Sequence, residues 1–233
     1  MKTLKKSGLE LDLDLQGAWI NRFDKDGNHV FFPFKEMEIN DAHKLRGGMH
    51  VCAPNFGPDE ILHELAQHGY GRDEEWDITE EAEDYIKLSL AGKGSYKDVK
   101  FTLIYRLTED GLTTEFTAVN EGEETKLINP AFHPYFYTKD CNIEIDDFEV
   151  IRDELPKPMT DDNKNESIKT SEFVIDIIGE KGVGTYIIWT DFGDDYVCVE
   201  PTYNGMSFKD NDLEPYQLKS SETFTQKFDI VIK

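Results

Sequence analysis

The sequence predicts an all-β protein, an antiparallel sandwich of many short strands. Three observations support this fold class: apolar and polar residues alternate with period two in many segments, turn residues separate these segments, and helical periodicity is confined to one short stretch. Alternation of this kind marks strands with one buried face, and many such strands joined by turns are typical of sandwiches. We predict a single domain over residues 1–233, because β-sandwiches of this size are commonly one domain.

The individual strands follow from this alternation in chain order. Leucines at alternate positions over Leu9–Leu15 share one face of the first strand. Residues 99–107 and 112–118 alternate in the same way around "TEDG", which predicts a hairpin with Asp110-Gly111 at its turn. Further strand candidates are "HVFFPF", "YIKLSLA", "NIEIDDFEVI", "EFVIDII", "GTYIIWT", "YVCVE" and "TFTQKFDIVI".

Three segments call for a different interpretation. The stretch "PDEILHELA" (58–66) has the periodicity of a short helix. The stretch "LPKPMTDDNKNES" (155–167) is polar and contains two prolines, which predicts an exposed loop. The stretch "DKDGN" (24–28) resembles the start of a calcium-binding loop, but its glycine comes too early, so a hairpin turn is predicted there.

Charge and hydropathy exclude several classes of function. The chain has 48 acidic and 25 basic residues, a formal net charge of −23. A surface this negative repels nucleic-acid phosphates and anionic lipids, so we expect no nucleic-acid partner and no membrane partner. No stretch approaches the length of an apolar membrane span, and the N-terminus alternates Leu with Glu or Asp where a signal peptide needs a continuous apolar segment. We therefore expect a cytoplasmic protein.

The sequence contains no recognisable metal-binding pattern. Cys52, Cys141 and Cys198 are scattered and form no CxxC pair, which predicts reduced, buried thiols instead of a disulfide framework or a zinc site. The histidines of "HELAQH" are five positions apart and would point about 140° apart on a helix, so the zinc-protease pattern is excluded. We expect chemistry that needs no metal and no cofactor.

Three short islands supply groups suited to proton transfer. They are "QHGYGR" with His68, "NPAFHPYF" with His133 and "YVCVEP" with Glu200. Two imidazoles and a carboxylate can act as acid and base near neutral pH. Glu200 is the most informative of the three, because an unpaired charge in an apolar strand is strongly unfavourable and desolvation should raise its pKa.

Each candidate also has a structural alternative. His68 could be a solvated loop residue, His133 could be satisfied within an aromatic core, and Glu200 could belong to a structural ion pair. Two of the five arginines, Arg46 before a pair of glycines and Arg72 at the end of its island, offer planar donors for hydroxyls, a carboxylate or a phosphate. Their alternative is a surface ion pair.

The order of the motifs "RGG…P-x-F-G", "HG-[YF]-x-R", "HPYF" and "VCVEP" resembles the aldose 1-epimerase (galactose mutarotase-like) superfamily, including its hexose-6-phosphate 1-epimerase branch. The resemblance implies an antiparallel β-supersandwich with a sugar cleft on a concave face. It implies that His133 protonates the ring oxygen, that Glu200 removes the proton of the anomeric hydroxyl, and that His68 holds and polarises the sugar. Arg46 and Arg72 would contact sugar oxygens.

The implied reaction interconverts the α and β anomers of a hexose or a hexose-6-phosphate by general acid–base catalysis. We expect His133 and Glu200 to face each other across an open groove, roughly 5–8 Å apart, so that each reaches its own oxygen by a hydrogen bond. An acidic residue that some family members carry before the Glu is not clearly matched, and its candidates are Glu172, Asp176 and Asp191.

Two other functions are open at this point. One is a non-catalytic carbohydrate-binding or regulatory module on the same fold, suggested by departures such as Asn55, where relatives often have an aromatic residue. The other is a structural β-domain whose histidines belong to the core. The sugar, its phosphorylation and the oligomeric state are left open by the residues.

Overall fold

The computed structural model of the chain, which describes residues 1–39 and 41–233, consists of antiparallel strands joined by turns. In chain order, the strands of the described residues are β1 (Lys2–Lys6), β2 (Leu9–Leu13), β3 (Ile20–Lys25), β4 (Asn28–His29), β5 (Lys35–Ile39), β6 (Ala42–Arg46), β7 (Met49–Cys52), β8 (Asp77–Ala82), β9 (Tyr85–Ala91), β10 (Val99–Leu107), β11 (Gly111–Asn120), β12 (Lys126–Ile128), β13 (Ala131–Tyr137), β14 (Glu144–Ile145), β15 (Met159–Asp161), β16 (Asn165–Lys169), β17 (Val174–Lys181), β18 (Thr185–Trp189), β19 (Tyr196–Thr202), β20 (Tyr216–Leu218) and β21 (Thr223–Ile232). Short 3₁₀ turns lie at Gly94–Tyr96, Lys139–Cys141 and Arg152–Glu154. Over residues 1–39 and 41–233 no helix is long and apolar enough to cross a membrane.

Two large sheets contain most of the strands. The nine-stranded sheet has the order β1-β2-β3-β7-β13-β19-β18-β15, with β4 paired to β3, and the eight-stranded sheet has the order β14-β16-β17-β21-β11-β10-β9-β8. Two small ribbons, β5–β6 and β12–β20, accompany them. The ladders between these strands are antiparallel. The predicted all-β antiparallel sandwich is confirmed.

The two large sheets share one hydrophobic core. Phe132 and Phe136 of β13 and Val199 of β19 belong to the same buried cluster as Phe116 of β11 and Ile230 of β21. Successive side chains of a strand point to opposite faces, so the residues that alternate with these, such as His133 and Tyr135, lie on the outer face of the nine-stranded sheet. That outer face contains the site described below. The single domain over residues 1–233 stays a prediction.

Both predicted hairpins form. The β10–β11 ladder ends at the Leu107–Leu112 pair, which places the turn where "TEDG" predicts it. Between β3 and β4, Asp26 and Gly27 have φ of 51° and 83°. Positive φ at both central residues is what a type I′ hairpin turn requires.

The helix predicted over residues 58–66 is wrong. The side chain of Asp59 accepts hydrogen bonds from the backbone N–H groups of Leu62, Glu64 and Leu65 at 2.8–3.0 Å, which folds the segment into a compact loop. His63 then has a φ of 57°, a left-handed conformation that a right-handed helix does not contain. The apolar spacing was therefore helical only by coincidence.

The loop predicted over residues 155–167 is wrong in part: residues 156–158 and 162–164 are exposed and lie outside strands, but the rest differs. β15 and the start of β16 lie within it, and β15 pairs with β18 at the edge of the nine-stranded sheet. Leu155 is fully buried. Tertiary pairing with β18 overrides the low strand propensity of this polar segment, as often happens for edge strands.

Candidate active site

The two central strands β13 and β19 position the candidate acid and base. His133 lies between the core-facing residues Phe132 and Pro134, and Glu200 follows the core-facing residue Val199. The alternation of strand side chains therefore points His133 and Glu200 to the outer face of the sheet. Because the apolar residues of both strands face the core, the two polar residues next to them lie together on the outer face.

The register of β13 against β19 places these two groups opposite each other. The flanking cross-strand pairs are Ala131–Thr202 and Tyr135–Cys198, and His133–Glu200 is the position midway between them. On the other side of β13, His133 pairs with His50 of β7. One row across the sheet therefore carries His50, His133 and Glu200.

His133 and Glu200 contact each other at the floor of this surface. Nε2 of His133 lies 3.5 Å from Oε2 of Glu200, and the two side chains are 8% and 2% exposed. Within the described part of the chain, neither Nδ1 of His133 nor Oε2 of Glu200 has a hydrogen-bond partner. The expected separation of 5–8 Å is wrong, because side chains directly opposite on neighbouring strands start from Cβ atoms only about 4.5–5.5 Å apart.

Burial favours the neutral form of both groups. Burial raises the pKa of Glu200 well above its ordinary value. Burial also lowers the pKa of His133 well below its ordinary value, and the nearby His68, Arg72 and Arg46 add to this effect. The neutral imidazole and the carboxylic acid together hold one proton that either group can carry. One member of the pair can then act as the acid while the other acts as the base.

His133 is held inside a stack of four rings. Successive ring centroids from Trp19 to His50, His133 and Tyr135 are 4.2, 5.0 and 4.7 Å apart. The plane of His133 is within 21° of His50 and 16° of Tyr135. Such packing on both faces restricts the imidazole to one plane and directs its ring edge toward Glu200.

His50 is a component of the site that sequence reasoning missed. It is 1% exposed, and neither of its ring nitrogens has a partner among the described residues. Burial, followed by the neighbouring His133, lowers the pKa of His50 well below its ordinary value. Its only signal in the sequence is a polar residue alternating with apolar ones in "MHVC".

His68 reaches the site from the loop between β7 and β8. Its ring lies edge-on to His133, with centroids 5.7 Å apart. The N–H of Gly57 donates to Nδ1 of His68 at 3.2 Å, so the neutral ring carries its proton on Nε2, beside the side-chain amide of Gln67. Burial, with the charges of Arg72 and Arg46, lowers the pKa of His68 to about 3. His68 is thus a neutral hydrogen-bond donor.

A cleft of about 430 Å³ opens above these groups. The five predicted site residues, His68, His133, Glu200, Arg46 and Arg72, all line it. The other lining residues include four apolar side chains and one further cation. Sequence reasoning missed all five of them: Phe56, Ile187, Trp189, Met206 and Lys44. These residues come from loops and strands far apart in the chain, and no local pattern marks them.

Arg46 is oriented by a carboxylate at the rim of the cleft. Its Nε and Nη2 donate to Oδ2 of Asp191 at 3.1 and 2.8 Å, and the hydroxyl of Tyr196 donates to the other oxygen. Burial acts to raise the pKa of Asp191, but these hydrogen bonds outweigh it and the pKa is lowered. Asp176, another candidate for the unmatched acidic residue, instead pairs with Lys233 at 2.6 Å on the eight-stranded sheet.

Comparison with known proteins identifies the family. The family model described as aldose 1-epimerase matches residues 2–165. The chain therefore belongs to the aldose 1-epimerase family. The matched segment includes four of the predicted site residues and ends before Glu200.

Solved structures with the same fold extend over the whole chain. The Slr1438 protein from Synechocystis sp. PCC 6803 is 17% identical with a TM-score of 0.84, covering 100% of this chain and 95% of that one. A galactose mutarotase-like protein from Lactobacillus casei ATCC 334 is 13% identical with a TM-score of 0.81, covering 100% of both chains. These likenesses show a shared fold.

A curated relative is similar over part of its length. The uncharacterized protein YphB of Escherichia coli (strain K12) is 26% identical, and the match covers 58% of this chain and 51% of that protein. The match therefore spans about half the length of this relative.

Proposed function

We propose that the protein is an aldose 1-epimerase that interconverts the α and β anomers of a hexose or a hexose-6-phosphate by general acid–base catalysis. The observation that carries the proposal is the 3.5 Å contact between His133 Nε2 and Glu200 Oε2 at the floor of a cleft of about 430 Å³. A cleft of this size lies in the range of small-molecule sites. Membership of the aldose 1-epimerase family supports the same class of reaction.

The chemistry requires one proton delivered and one removed. His133 gives a proton to the ring oxygen O5 while Glu200 takes the proton of the anomeric O1–H, so that the C1–O5 bond breaks and a carbonyl forms at C1. Rotation about C1–C2 and the reverse transfers then close the other anomer. Sugar hydroxyls that donate to Glu200 favour its carboxylate form and place the shared proton on His133. Positioned groups of this kind contribute roughly 10²–10⁴-fold.

The cationic lining supports a phosphorylated substrate. Lys44, Arg46 and Arg72 line the cleft, and Glu200 is the one carboxyl group among the lining residues of the described chain. Asp191 offsets the charge of Arg46, and burial favours the neutral form of Glu200, so Lys44 and Arg72 leave the cleft locally positive in a chain of net charge −23. Guanidinium groups bind phosphate through paired hydrogen bonds, so a hexose-6-phosphate fits this lining better than a free hexose.

Exchange spectroscopy by NMR tests the proposal. Glucose, galactose and glucose-6-phosphate are each measured with the protein and in buffer, and at least one should exchange its anomers faster with the protein. Glu200→Gln should lower kcat by roughly 10²–10⁴-fold. The matched control Glu123→Gln alters an exposed carboxylate and should leave the rate unchanged.

If each of the three sugars exchanges its anomers at the same rate with and without the protein, the enzyme proposal is contradicted for these sugars. Saturable sugar binding in calorimetry, with no acceleration of exchange, would instead favour the non-catalytic carbohydrate-binding module.

A further inference from the structure

We propose that His133, Cys198 and Glu200 form a binding site for a transition-metal ion of the Zn²⁺ or Co²⁺ type, and that a bound ion blocks the acid–base pair. One potential ligand atom from each of the three side chains lies within 4.8 Å of the other two. The metal site stands on this geometry alone. The inhibition, in contrast, rests on the proposed epimerase function.

The strand register brings the three ligands together. Cys198 and Glu200 are two positions apart in β19 and so share its outer face, and His133 is opposite Glu200 on β13. In a tetrahedral site with metal–ligand bonds of about 2.0–2.3 Å, neighbouring ligand atoms are about 3.3–3.7 Å apart. The His133–Glu200 distance of 3.5 Å already has this value. Because the three ligand atoms lie within 4.8 Å of one another, the thiol has to approach by no more than roughly 1–1.5 Å.

The donor set selects the class of ion. A thiolate, an imidazole and a carboxylate are the ligands that Zn²⁺ and related ions take in proteins, whereas Mg²⁺ and Ca²⁺ require oxygen ligands. With Cys198 and Glu200 deprotonated, their two negative charges balance a divalent cation. A complex without net charge suits a floor on which Cys198 is packed against Phe32, Tyr135 and Tyr196.

The ligands are buried and in part unpartnered. His133, Cys198 and Glu200 are 6%, 0% and 2% exposed. Oε2 of Glu200 has no hydrogen-bond partner among the described residues, although its side chain points to the cleft. A metal ion would satisfy this oxygen, and the three protein ligands would leave a fourth coordination position for water or another ligand. Three protein ligands with one open position are typical of zinc sites that exchange their fourth ligand.

A bound ion would remove both proton-transfer groups from use. The lone pairs of His133 and Glu200 that bind the metal are those that accept and deliver protons in the proposed reaction. Sugar turnover and metal binding therefore exclude each other at this site.

Cobalt absorption tests the metal site directly. Titration of the metal-free protein with Co²⁺ should give a sulfur-to-cobalt charge-transfer band and the visible bands of tetrahedral Co²⁺, saturating at one equivalent and displaced by Zn²⁺. Cys198→Ser should abolish the charge-transfer band. The matched control Cys52→Ser replaces another fully buried thiol and should retain it. No band in the unaltered protein, or an unchanged band in Cys198→Ser, would overturn the proposal.

If Cys198→Ser does not fold, X-ray absorption at the zinc edge tests the site in the unaltered protein. The zinc-loaded unaltered protein should show one sulfur scatterer together with nitrogen and oxygen scatterers. A coordination shell without sulfur would reject the site.

Anomer exchange tests the inhibition separately. Zn²⁺ should slow exchange at least tenfold, and a chelator should restore it. Measured against its own metal-free exchange rate, Cys198→Ser should require at least tenfold more Zn²⁺ for inhibition. Equal sensitivity of the unaltered protein and Cys198→Ser would rule out the thiol as a ligand. If no sugar exchanges at all, the proposed function fails, whereas the cobalt bands still decide the metal site.

Discussion

At the scale of single residues, burial controls the chemistry of the site. Desolvation raises the pKa of Glu200 and lowers the pKa of His133, so both side chains favour their neutral forms. His68 is neutral for the same reason, with a pKa of about 3. The site therefore combines neutral donors and acceptors with three cationic side chains in the cleft lining, Lys44, Arg46 and Arg72.

The pH dependence of kcat/KM follows from these shifts. In the proposed mechanism, the free protein is active while the His133–Glu200 pair holds one proton, and a second proton on His133 inactivates it. Because the pKa of His133 is lowered well below its ordinary value of 6.5, the acidic limb should lie well below pH 6.5. The measurement is anomer exchange from pH 4 to 9, corrected for the buffer reaction. A half-maximal rate at or above pH 6.5 on the acidic side would contradict this assignment.

The ring stack makes a prediction about His50. His50→Ala removes one face of the packing around His133 and should lower kcat about tenfold, because a catalytic group that is free to tilt loses its alignment. His50→Phe keeps a ring and removes two unpartnered nitrogens, so kcat should stay within about threefold and the protein should be at least as stable. Steady-state exchange and thermal unfolding of both variants provide the test. An equal loss in His50→Phe would show that the nitrogens matter.

At the scale of elements, the site combines rigid strands with one tightly held loop. β7, β13 and β19 are adjacent central strands, and they position His50, His133 and Glu200 with fixed spacing. His68 belongs to a loop that is fastened by backbone hydrogen bonds from Tyr70 and from Gly71 to Ala53. The geometry of His68 thus depends on this loop retaining its backbone conformation.

The backbone conformation of this loop depends on Gly69. Its φ is +68°, and a Cβ atom would lie 2.1 Å from the carbonyl oxygen of Ala53. Gly27 has a φ of +83° with nothing within 4 Å, so Gly27→Ala adds only backbone strain, about 1–2 kcal/mol. Gly69→Ala should destabilise the protein by at least about 2 kcal/mol more and raise KM. Urea unfolding and exchange kinetics compare the two variants, and equal losses would show that the close approach is unimportant.

The strands β15 and β16 carry a buried acidic pair, Asp161 at the end of β15 and Glu166 in β16. Glu166 and Asp161 are 2% and 6% exposed, and burial, followed by the proximity of Asp161, raises the pKa of Glu166 to about 8. The unfolded chain loses this proton near its ordinary value, whereas the folded chain keeps it until about pH 8. The folded state therefore binds more protons in this window, and stability falls as pH rises through it.

Glu166→Gln should remove this loss. Relative to the unaltered protein, the variant should gain stability between pH 5 and pH 8, on the order of 2 kcal/mol. Urea unfolding at the two pH values measures the gain, with the exposed Glu154→Gln as the matched control. A difference between variant and parent that does not change with pH would contradict the shifted titration of Glu166.

At the scale of the whole molecule, charge and packing act against each other. Both sheets are joined by one hydrophobic cluster, while a formal charge of −23 repels itself across the surface. Many of the ion pairs are exposed, such as Lys2–Glu81, and contribute little. The cleft lining, in contrast, carries three cationic side chains and one carboxyl group.

Added salt should therefore stabilise the protein. Screening of the net repulsion should outweigh the weakening of exposed ion pairs, so the Tm should rise between low salt and about 0.5 M NaCl. Each kcal/mol gained in the free energy of unfolding should raise the Tm by about 2–4 °C. Calorimetry at several NaCl concentrations tests this. A fall in Tm would mean that the ion pairs dominate.

Local patterns in the sequence determined the fold class and most of the strands, and together with the family resemblance they predicted five candidate site residues that line one cleft. Period-two alternation is a property of each strand by itself, and each proton-transfer group lies in a short motif that stands out from its apolar or glycine-rich surroundings. The tertiary structure alone decided the contact between His133 and Glu200, the inclusion of His50, Trp189 and Lys44, and the strand at Met159–Asp161. These features depend on the register between strands that are distant in the chain. A local pattern carries no information about that register, because one face of a strand can be matched to its neighbour in several ways until the whole sheet packs.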